Sequence, residues 1–382
     1  MRDNAPRVRV AILSEFYPRA RDPVLGIWAH RQAVAARDAG ADVRVLVLDR
    51  RIPPRAEPHK LRALRQMVAE PRHAERDGIA IEYVPFVSPP RPGHYASWGA
   101  WAAPTLWLAL GRLRRRWPFD LVHAHNAVPA GAAFRGPEPL VVSVHGGDVL
   151  YTAPRHGPQR IREVFERAAL VLANSAGIEE RARALGARDT RVVHLGTDVP
   201  AREPPHDPGL LVTVGHLVAR KRHADVLRAL ARLPEARYLI VGDGPEREPL
   251  ERLAAELGVG GRVEFAGQLP HEEALARARG AGVFVMPSVD EAFGVAYVEA
   301  MAAGLPAIGG AGEPGPQEIA GLGGGIELVP PDDAGALAAA LERVLGARGE
   351  LGRAARATAE RHFTWAACGA ATVAAYEQAL DR

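Results

Sequence analysis

The sequence predicts two doubly wound α/β domains, each a parallel sheet covered by helices on both faces. Three observations carry that prediction. The chain has 382 residues, too many for one ordinary compact domain and enough for two of about 150–200 residues each. Short uninterrupted apolar runs alternate with amphipathic helical stretches, the pattern of strands buried on both faces. The alternation breaks at a proline-rich stretch, residues 200–208, and then starts again.

In the first half, Val8–Leu13, Val43–Leu48, Leu121–His123, Leu140–Val144, Leu170–Ala173 and Arg191–Leu195 read as strands. Trp28–Ala39 and Ile178–Leu185 read as helices between them. The stretch Ala201-Arg-Glu-Pro-Pro-His-Asp-Pro208 reads as a linker, because proline removes backbone donors and favours extended chain. Beyond it, Leu210–Val214, Tyr238–Val241, Val263–Ala266, Val283–Met286 and Ala307–Ile308 read as strands. His223–Arg232, Glu246–Leu257 and Glu272–Arg279 read as helices. The expected domains are therefore 1–200 and 209–362. Proteins of this class bind ligands at the carboxyl ends of their strands, and a cleft between two such domains is the favoured place.

Composition narrows the function classes. The net charge of +3 is mild, so it favours anionic ligands weakly and makes no case for nucleic acid. Nearly all the cations are arginine; Lys60 and Lys221 are the only lysines. The single cysteine, Cys368, fits a reducing cytosol. The first apolar strand is too short and badly flanked for a signal peptide. No apolar run reaches the ~20 residues of a membrane-spanning helix. A cytoplasmic protein, soluble or at most peripheral at the inner face of the membrane, is expected. His123 and His125 have the spacing of a metal pair, but no cysteine or carboxylate cluster completes a site and no D-x-D occurs. No metal and no bound cofactor are expected.

The most informative motif follows the strand Val283–Met286. It runs Pro287-Ser-Val-Asp-Glu291-Ala-Phe293-Gly294 into a helix of roughly Val295–Ala303. The amides of Phe293, Gly294 and Val295 then sit at a helix N-terminus, without intrahelical partners, as a ready phosphate site. Gly294 lets backbone approach an anion closely. Glu291 and Glu299 flank that cradle as acceptor-only carboxylates, which suits a diphosphate with hydroxyls on both sides. Taken singly they admit a blander reading: Glu299 complements the helix dipole and Glu291 is a solvated loop acid.

The run Glu291-Ala-Phe-Gly-Val-Ala-Tyr-Val-Glu299-Ala-Met-Ala-Ala-Gly304-Leu-Pro306 resembles the E-x7-E signature of family-four retaining glycosyltransferases with the GT-B fold. The resemblance implies that Glu291 contacts the donor sugar, Glu299 the ribose, and the amides between them the diphosphate. Val214-Gly-His216-Leu-Val-Ala-Arg220-Lys221 is similar to the family's diphosphate loop, with Lys221 as its lysine. His216 stands where the family usually has arginine, so either Arg220 substitutes for it or the loop holds the donor differently. Gly242-Asp-Gly-Pro245 matches a tight turn of the family; without a third glycine it is weak evidence for a dinucleotide. Arg262–His271 resembles the strand and loop that receive the nucleobase, with Leu269 against its face.

In the first half, Ser143-Val-His145-Gly-Gly-Asp148 resembles the H-G-x-D segment, which puts His145 beside the donor sugar. The loop Tyr17–Trp28 keeps the glycine Gly26 of the family's loop near donor phosphate and acceptor, but has Leu25 where many members carry a second glycine. Asn174-Ser175 fits the family too, although Ser175 reads first as a helix N-cap. The final helix, 363–382, opened by His362-Phe-Thr-Trp365, is expected to cross back to the first domain. Residues 95–117 combine Trp98, Trp101, Trp107 and Trp117 with Arg112, Arg114, Arg115 and Arg116. Two readings stand: a membrane-interface helix, or a buried face with a solvated arginine end.

The resemblance implies a metal-independent retaining transferase with catalytic Glu291, His145 and Lys221. Its donor contacts would be Gly26, His216, Arg220, Lys221, Leu269, Phe293, Gly294, Val295 and Glu299. The donor would be a UDP- or GDP-linked hexose, and the acceptor a glycan, a lipid-linked hydroxyl or a small molecule. The rivals are an inverting GT-B transferase, a sugar-nucleotide epimerase, and a non-catalytic sugar-nucleotide-binding protein.

Overall fold

A computed structural model describes residues 8–20, 22–52, 71–202 and 206–381. Lys60, Arg21 and linker residues 203–205 lie outside the described residues. The chain forms two units, residues 1–194 with 365–382, and residues 195–364.

The first unit holds strands β1 (Arg9–Ser14), β2 (Asp42–Arg50), β3 (His73–Arg76), β4 (Ile79–Phe86), β5 (Leu121–His125), β6 (Leu140–Val144), β7 (Leu170–Ala173) and β8 (Thr190–Val192). Its main helices are α1 (Ile27–Asp38), α2 (Trp98–Arg116), α3 (Gln159–Arg167) and α4 (Ala176–Ala184). The sheet order is β3-β4-β2-β1-β5-β6-β7-β8. The sheet is parallel as expected apart from one edge, where β3 pairs antiparallel with β4. A two-residue turn at Asp77-Gly78, both with positive φ, closes that hairpin. The remaining pairs are parallel, and β5, β6 and β7 are buried along their whole length. Burial on both faces explains why these strands read as continuous apolar runs rather than alternating ones.

The second unit holds β9 (Leu210–Val214), β10 (Arg237–Val241), β11 (Val263–Gly267), β12 (Val283–Met286), β13 (Ala307–Gly310) and β14 (Ile326–Val329). These six strands are parallel, in the order β11-β10-β9-β12-β13-β14. The helices are α5 (His223–Leu230), α6 (Arg247–Glu256), α7 (His271–Arg279), α8 (Val295–Ala302), α9 (Pro314–Leu322), α10 (Ala334–Gly346) and α11 (Arg348–His362). Val226, Leu230, Leu250, Leu337 and Leu341 pack on Ile240, Val283 and Ile308 to form the core on one face of the sheet. Each such side chain contributes roughly 1.5–3 kcal/mol on burial.

The last helix, α12 (Trp365–Leu380), belongs to the first unit. Gln32 of α1 donates to Thr372 (3.1 Å), and the Tyr376 hydroxyl lies 2.8 Å from His123 Nδ1. The described residues beside the linker are fixed to the second unit: Pro200 accepts from Arg356 at 2.7 Å and Asp207 N–H donates to Gly280 at 2.8 Å.

Each sheet reverses direction beside its first strand, between β1 and β5 and between β9 and β12. At such switch points the loops leave in opposite directions and open a crevice at the carboxyl ends of the strands. Loops after β9 and β12 therefore meet in the second unit, and loops after β1, β5 and β6 gather in the first.

Candidate functional site

In the second unit the loops after β9 and β12 bring Lys221, Arg220 and Glu291 together. Lys221 Nζ donates to Glu291 Oε2 at 2.6 Å, Ser288 Oγ donates to the same oxygen at 3.0 Å, and Arg220 NH1 lies 3.7 Å from it. The loops are also tied by backbone, since Val289 N–H donates to the Arg220 carbonyl at 2.9 Å. Lys221 and Glu291 are 9% and 8% exposed, so this is a buried ion pair. Burial alone pushes the Glu291 carboxyl up, but Lys221, Arg220 and Ser288 outweigh it and hold the group below its usual range. Burial pulls Lys221 down, against the opposing pull of Glu291. Glu291 Oε1 has no hydrogen-bond partner among the described residues, so one carboxylate oxygen is anchored and the other is free to accept from a hydroxyl.

The loop that carries Glu291 is held in an unusual shape. Asp290 has φ +54, and Glu291 N–H donates to the Glu313 carboxylate at 2.9 Å. Gly294 caps α8 with φ +85, and a Cβ there would strike the ring of Tyr297. Tyr297 is itself buried and bonded to the Met286 carbonyl and to Ser288, 3.2 Å away. The N-terminus of α8 is thereby fixed, with the amides of Gly294 and Val295 making no hydrogen bond to the described residues. The Phe293 side chain is buried edge-to-face against Phe363, so only its backbone faces the loop. Glu299 lies one turn inside α8, 3.5 Å from His271 Nε2 of α7.

The remaining positions of this unit lie around the same strand ends. His216 is exposed in the loop after β9. Leu269 is half-buried between β11 and α7. The turn Gly242–Pro245 wraps the loop after β9: Gly215 N–H donates to Val241 at 3.0 Å, Leu217 N–H to Asp243 at 3.0 Å, and Glu246 N–H to Leu217 at 3.0 Å.

The first unit carries His145 and Gly26. Gly26 opens α1 with φ +66, its Cα packed on the Phe16 carbonyl. Trp28 of α1 stands edge-on to His145, ring centroids 6.2 Å apart, so these two positions belong to one cluster. His145 Nε2 lies 2.9 Å from His125 Nδ1, and the two rings are stacked. Burial pushes His145 down to about 4, so it is a neutral imidazole near neutrality that hydrogen-bonds without carrying charge. Its Nδ1 is buried with no partner. His123 is a different kind of residue. It is fully buried between Tyr376 (2.8 Å) and Ser143 (2.7 Å) and is pushed down to about 3, a satisfied core histidine. Among the described residues no three histidine, cysteine or carboxylate side chains cluster as a metal site. Ser175 accepts from Ile178 N–H at 3.4 Å and caps α4.

Sequence reasoning missed Ser288, Glu313 and Asp148. Ser288 lies in the quoted motif, three residues before Glu291, a spacing that signals a local side-chain contact. Glu313 precedes Pro314 at a helix start but reaches Glu291 only through the fold. Asp148 is buried and accepts from Ala127 and Val128 N–H at 2.7 and 3.1 Å, which ties the loop after β6 to the one after β5.

The two halves match two family models. Residues 197–362 match "Glycosyl transferases group 1" and residues 25–200 match "Glycosyltransferase Family 4". The chain is similar to the lipopolysaccharide core biosynthesis glycosyltransferase LpsE of Rhizobium meliloti: 33% identity over 190 residues, 47% of this chain and 55% of that protein. It is also similar to the D-inositol 3-phosphate glycosyltransferase of Mycolicibacterium smegmatis: 32% identity over 301 residues, 72% of this chain and 64% of that one. The matches thus span between half and two thirds of these relatives' lengths. Among solved structures, the sucrose-phosphate synthase from Thermosynechococcus elongatus superposes with a TM-score of 0.77 over 97% of this chain and 99% of its own, at 24% identity. That likeness shows the GT-B fold.

Proposed function

The chain belongs to the group 1 glycosyl transferases of the family 4 type, and from that premise we propose that it moves a hexose-type sugar from a UDP- or GDP-linked donor to an acceptor hydroxyl with retention at the anomeric carbon. The acceptor class is a glycan, a lipid-linked hydroxyl or a small molecule. The observation that carries the proposal is the buried Lys221–Glu291 contact of 2.6 Å between the ends of β9 and β12. It sets a cation, a carboxylate with one oxygen to spare and a helix N-terminus within one pair of loops.

In this reading the bond between the anomeric carbon and the β-phosphate oxygen breaks, and the acceptor oxygen bonds to that carbon on the same face. The acceptor proton passes to the departing diphosphate. Negative charge grows on that diphosphate, and Lys221, Arg220 and the α8 amides stabilise it, the largest electrostatic demand of the step. These groups supply the positive charge, so the proposal invokes no metal ion. Glu291 orients the sugar through Oε1, Glu299 the ribose, and neutral His145 a sugar hydroxyl.

The test is the anomeric configuration of the product by NMR, read on a panel of UDP- and GDP-hexoses. Retention supports the proposal. Inversion would assign the site to the rival transferase class, conversion of donor without acceptor to an epimerase, and donor binding with no turnover to a non-catalytic binding protein.

The same reading includes a peripheral contact with an anionic membrane through α2. Trp98 is buried, but Trp101, Trp107 and Leu108 are 50%, 69% and 53% exposed. Arg112, Arg115 and Arg116 follow on the exposed side of the last turns, and aromatic side chains followed by arginines fit an anionic interface. Among the described residues no helix is long and apolar enough to cross a membrane.

A further inference from the structure

His125 and His145 form a closed pair at the ends of β5 and β6. Strand pairing sets His125 opposite Ser143, two residues before His145. His125 Nδ1 lies 2.9 Å from His145 Nε2. The ring planes are 6° apart and the centroids 5.1 Å apart, so the two nitrogens meet at the ring edges. The other nitrogen of each ring, His125 Nε2 and His145 Nδ1, is buried with no hydrogen-bond partner among the described residues.

A histidine ordinarily has its tautomer set by a carboxylate or backbone carbonyl bonded to one ring nitrogen. Here that group is another imidazole. His123, its centroid 4.7 Å from that of His125, offers no alternative, because Tyr376 and Ser143 take both of its nitrogens. Burial keeps the pair neutral near neutral pH: His145 falls to about 4 and His125 well below its usual value. Each ring therefore carries one proton, and only one of the two protons lies in the shared bond. The tautomers are coupled. If His145 Nε2–H donates, His125 must hold its proton on Nε2. If His125 Nδ1–H donates, His145 must hold its proton on Nδ1.

The surroundings choose between the two. His125 is 1% exposed, so a proton on its Nε2 would seal an N–H in the core with nothing to accept it. A buried N–H without an acceptor is the rarer orphan, and a bare lone pair is better tolerated. His145 is half-buried just after β6, at the strand end where a fold of this class receives its ligands. A proton on its Nδ1 is the one that a bound oxygen can satisfy.

We propose that His125 is a positioning residue that holds His145 in the Nδ1–H tautomer. His145 then donates to a hydroxyl oxygen of the donor sugar and, with its Nε2 lone pair occupied, takes no proton from the substrate. The identity of that ligand rests on the transferase reading above, and the tautomer rests on the imidazole pair alone.

The test is ¹⁵N NMR of the full chain labelled at histidine, with His145 assigned from the signals lost in His145→Gln, together with steady-state turnover. In the wild type His145 should be protonated on Nδ1 and bare on Nε2. His125→Phe keeps a flat ring and removes the N–H. In it His145 should shift toward the Nε2–H form, and kcat should fall about tenfold or more, the share of one hydrogen bond, with the donor KM within about twofold of wild type. The amide of His125→Asn can place an N–H where Nδ1 stood, so this variant should keep the proton of His145 on Nδ1 and recover most of that kcat. A wild-type His145 protonated on Nε2 would overturn the proposal. So would an unchanged tautomer in His125→Phe, or equal loss of turnover in the two variants. If His125→Phe does not fold, the wild-type tautomer and the His125→Asn variant decide the matter. If the wild type turns over no UDP- or GDP-hexose, the transferase reading fails, and the tautomer still stands or falls by the spectrum.

Discussion

Replacing Glu291 by Gln removes one negative charge from a buried pair and nothing else of comparable size. Its Oε2 receives Lys221 Nζ at 2.6 Å and Ser288 Oγ at 3.0 Å, and both members of the pair are less than a tenth exposed. Removing a partner from a buried ion pair costs about 3–5 kcal/mol. The amide oxygen of Gln remains as a neutral acceptor and returns about 1 kcal/mol of that. The expected loss is about 2–4 kcal/mol, and in a domain of this size that lowers the melting temperature by roughly 4–16 °C. On the proposed reading turnover should fall as well, because Oε1, the oxygen assigned there to the sugar, becomes an amide NH2. Pairing the change with Lys221→Met removes the stranded charge, so the double variant should recover most of the lost stability without recovering turnover. Thermal denaturation and steady-state turnover of wild type, both single variants and the double variant read the whole cycle. A Glu291→Gln chain that melts within about 1 °C of wild type and turns over at the same rate would refute the reasoning.

Four further outcomes are expected. Gly294→Ala forces a side chain into the left-handed region and against Tyr297, so it should cost about 1–3 kcal/mol in denaturant titrations and weaken donor binding in calorimetry. Tyr376→Phe strips His123 Nδ1 of its partner in the core, so it should cost about 1–3 kcal/mol in the same titrations and leave turnover per folded molecule unchanged. As pH falls from about 6.5 toward about 4, the buried neutral histidines His123, His125, His145 and His223 lose stability to an unfolded chain that takes up protons first, while Asp148 and Glu15, raised in the fold, offset part of the loss; stability should fall over that range, each histidine's share being about 1.4 kcal/mol per pH unit at most, measurable by urea unfolding. Changing Trp101 and Trp107 together to Ser should reduce co-sedimentation with anionic vesicles several-fold without changing turnover on a soluble acceptor, and equal co-sedimentation would remove α2 from membrane contact.

How far the sequence was legible depends on what each residue faces. β12 and β9 were readable to within a residue because β12 and the middle of β9 are buried on both faces, so every position but Thr213 is apolar. The β3–β4 hairpin was not, because β3 is His73-Ala-Glu-Arg76 on an exposed edge and follows no apolar run. Lys221 and Glu291 were singled out as separate donor contacts, yet the structure joins them through one oxygen, a contact across 70 residues. Local pattern carries no such information. The same holds for His125 and His145, brought together because β5 and β6 run in register with His125 opposite Ser143. In α2 the composition left two readings open, and the helical phase distributes the tryptophans between them: Trp98 inward, Trp101 and Trp107 outward. Asp148 was quoted within its motif without a role, because its partners are backbone amides of another loop.

The central claim is that the loops after β9 and β12 bind the diphosphate of a sugar nucleotide. It is tested most directly by calorimetric titration of the wild-type chain and of Lys221→Met with UDP and GDP. The account predicts one-to-one binding of at least one of them to the wild type. In Lys221→Met that binding should weaken about 10- to 100-fold, the share of one buried charge-assisted contact. Binding of neither nucleotide, or equal binding by wild type and variant, would contradict it.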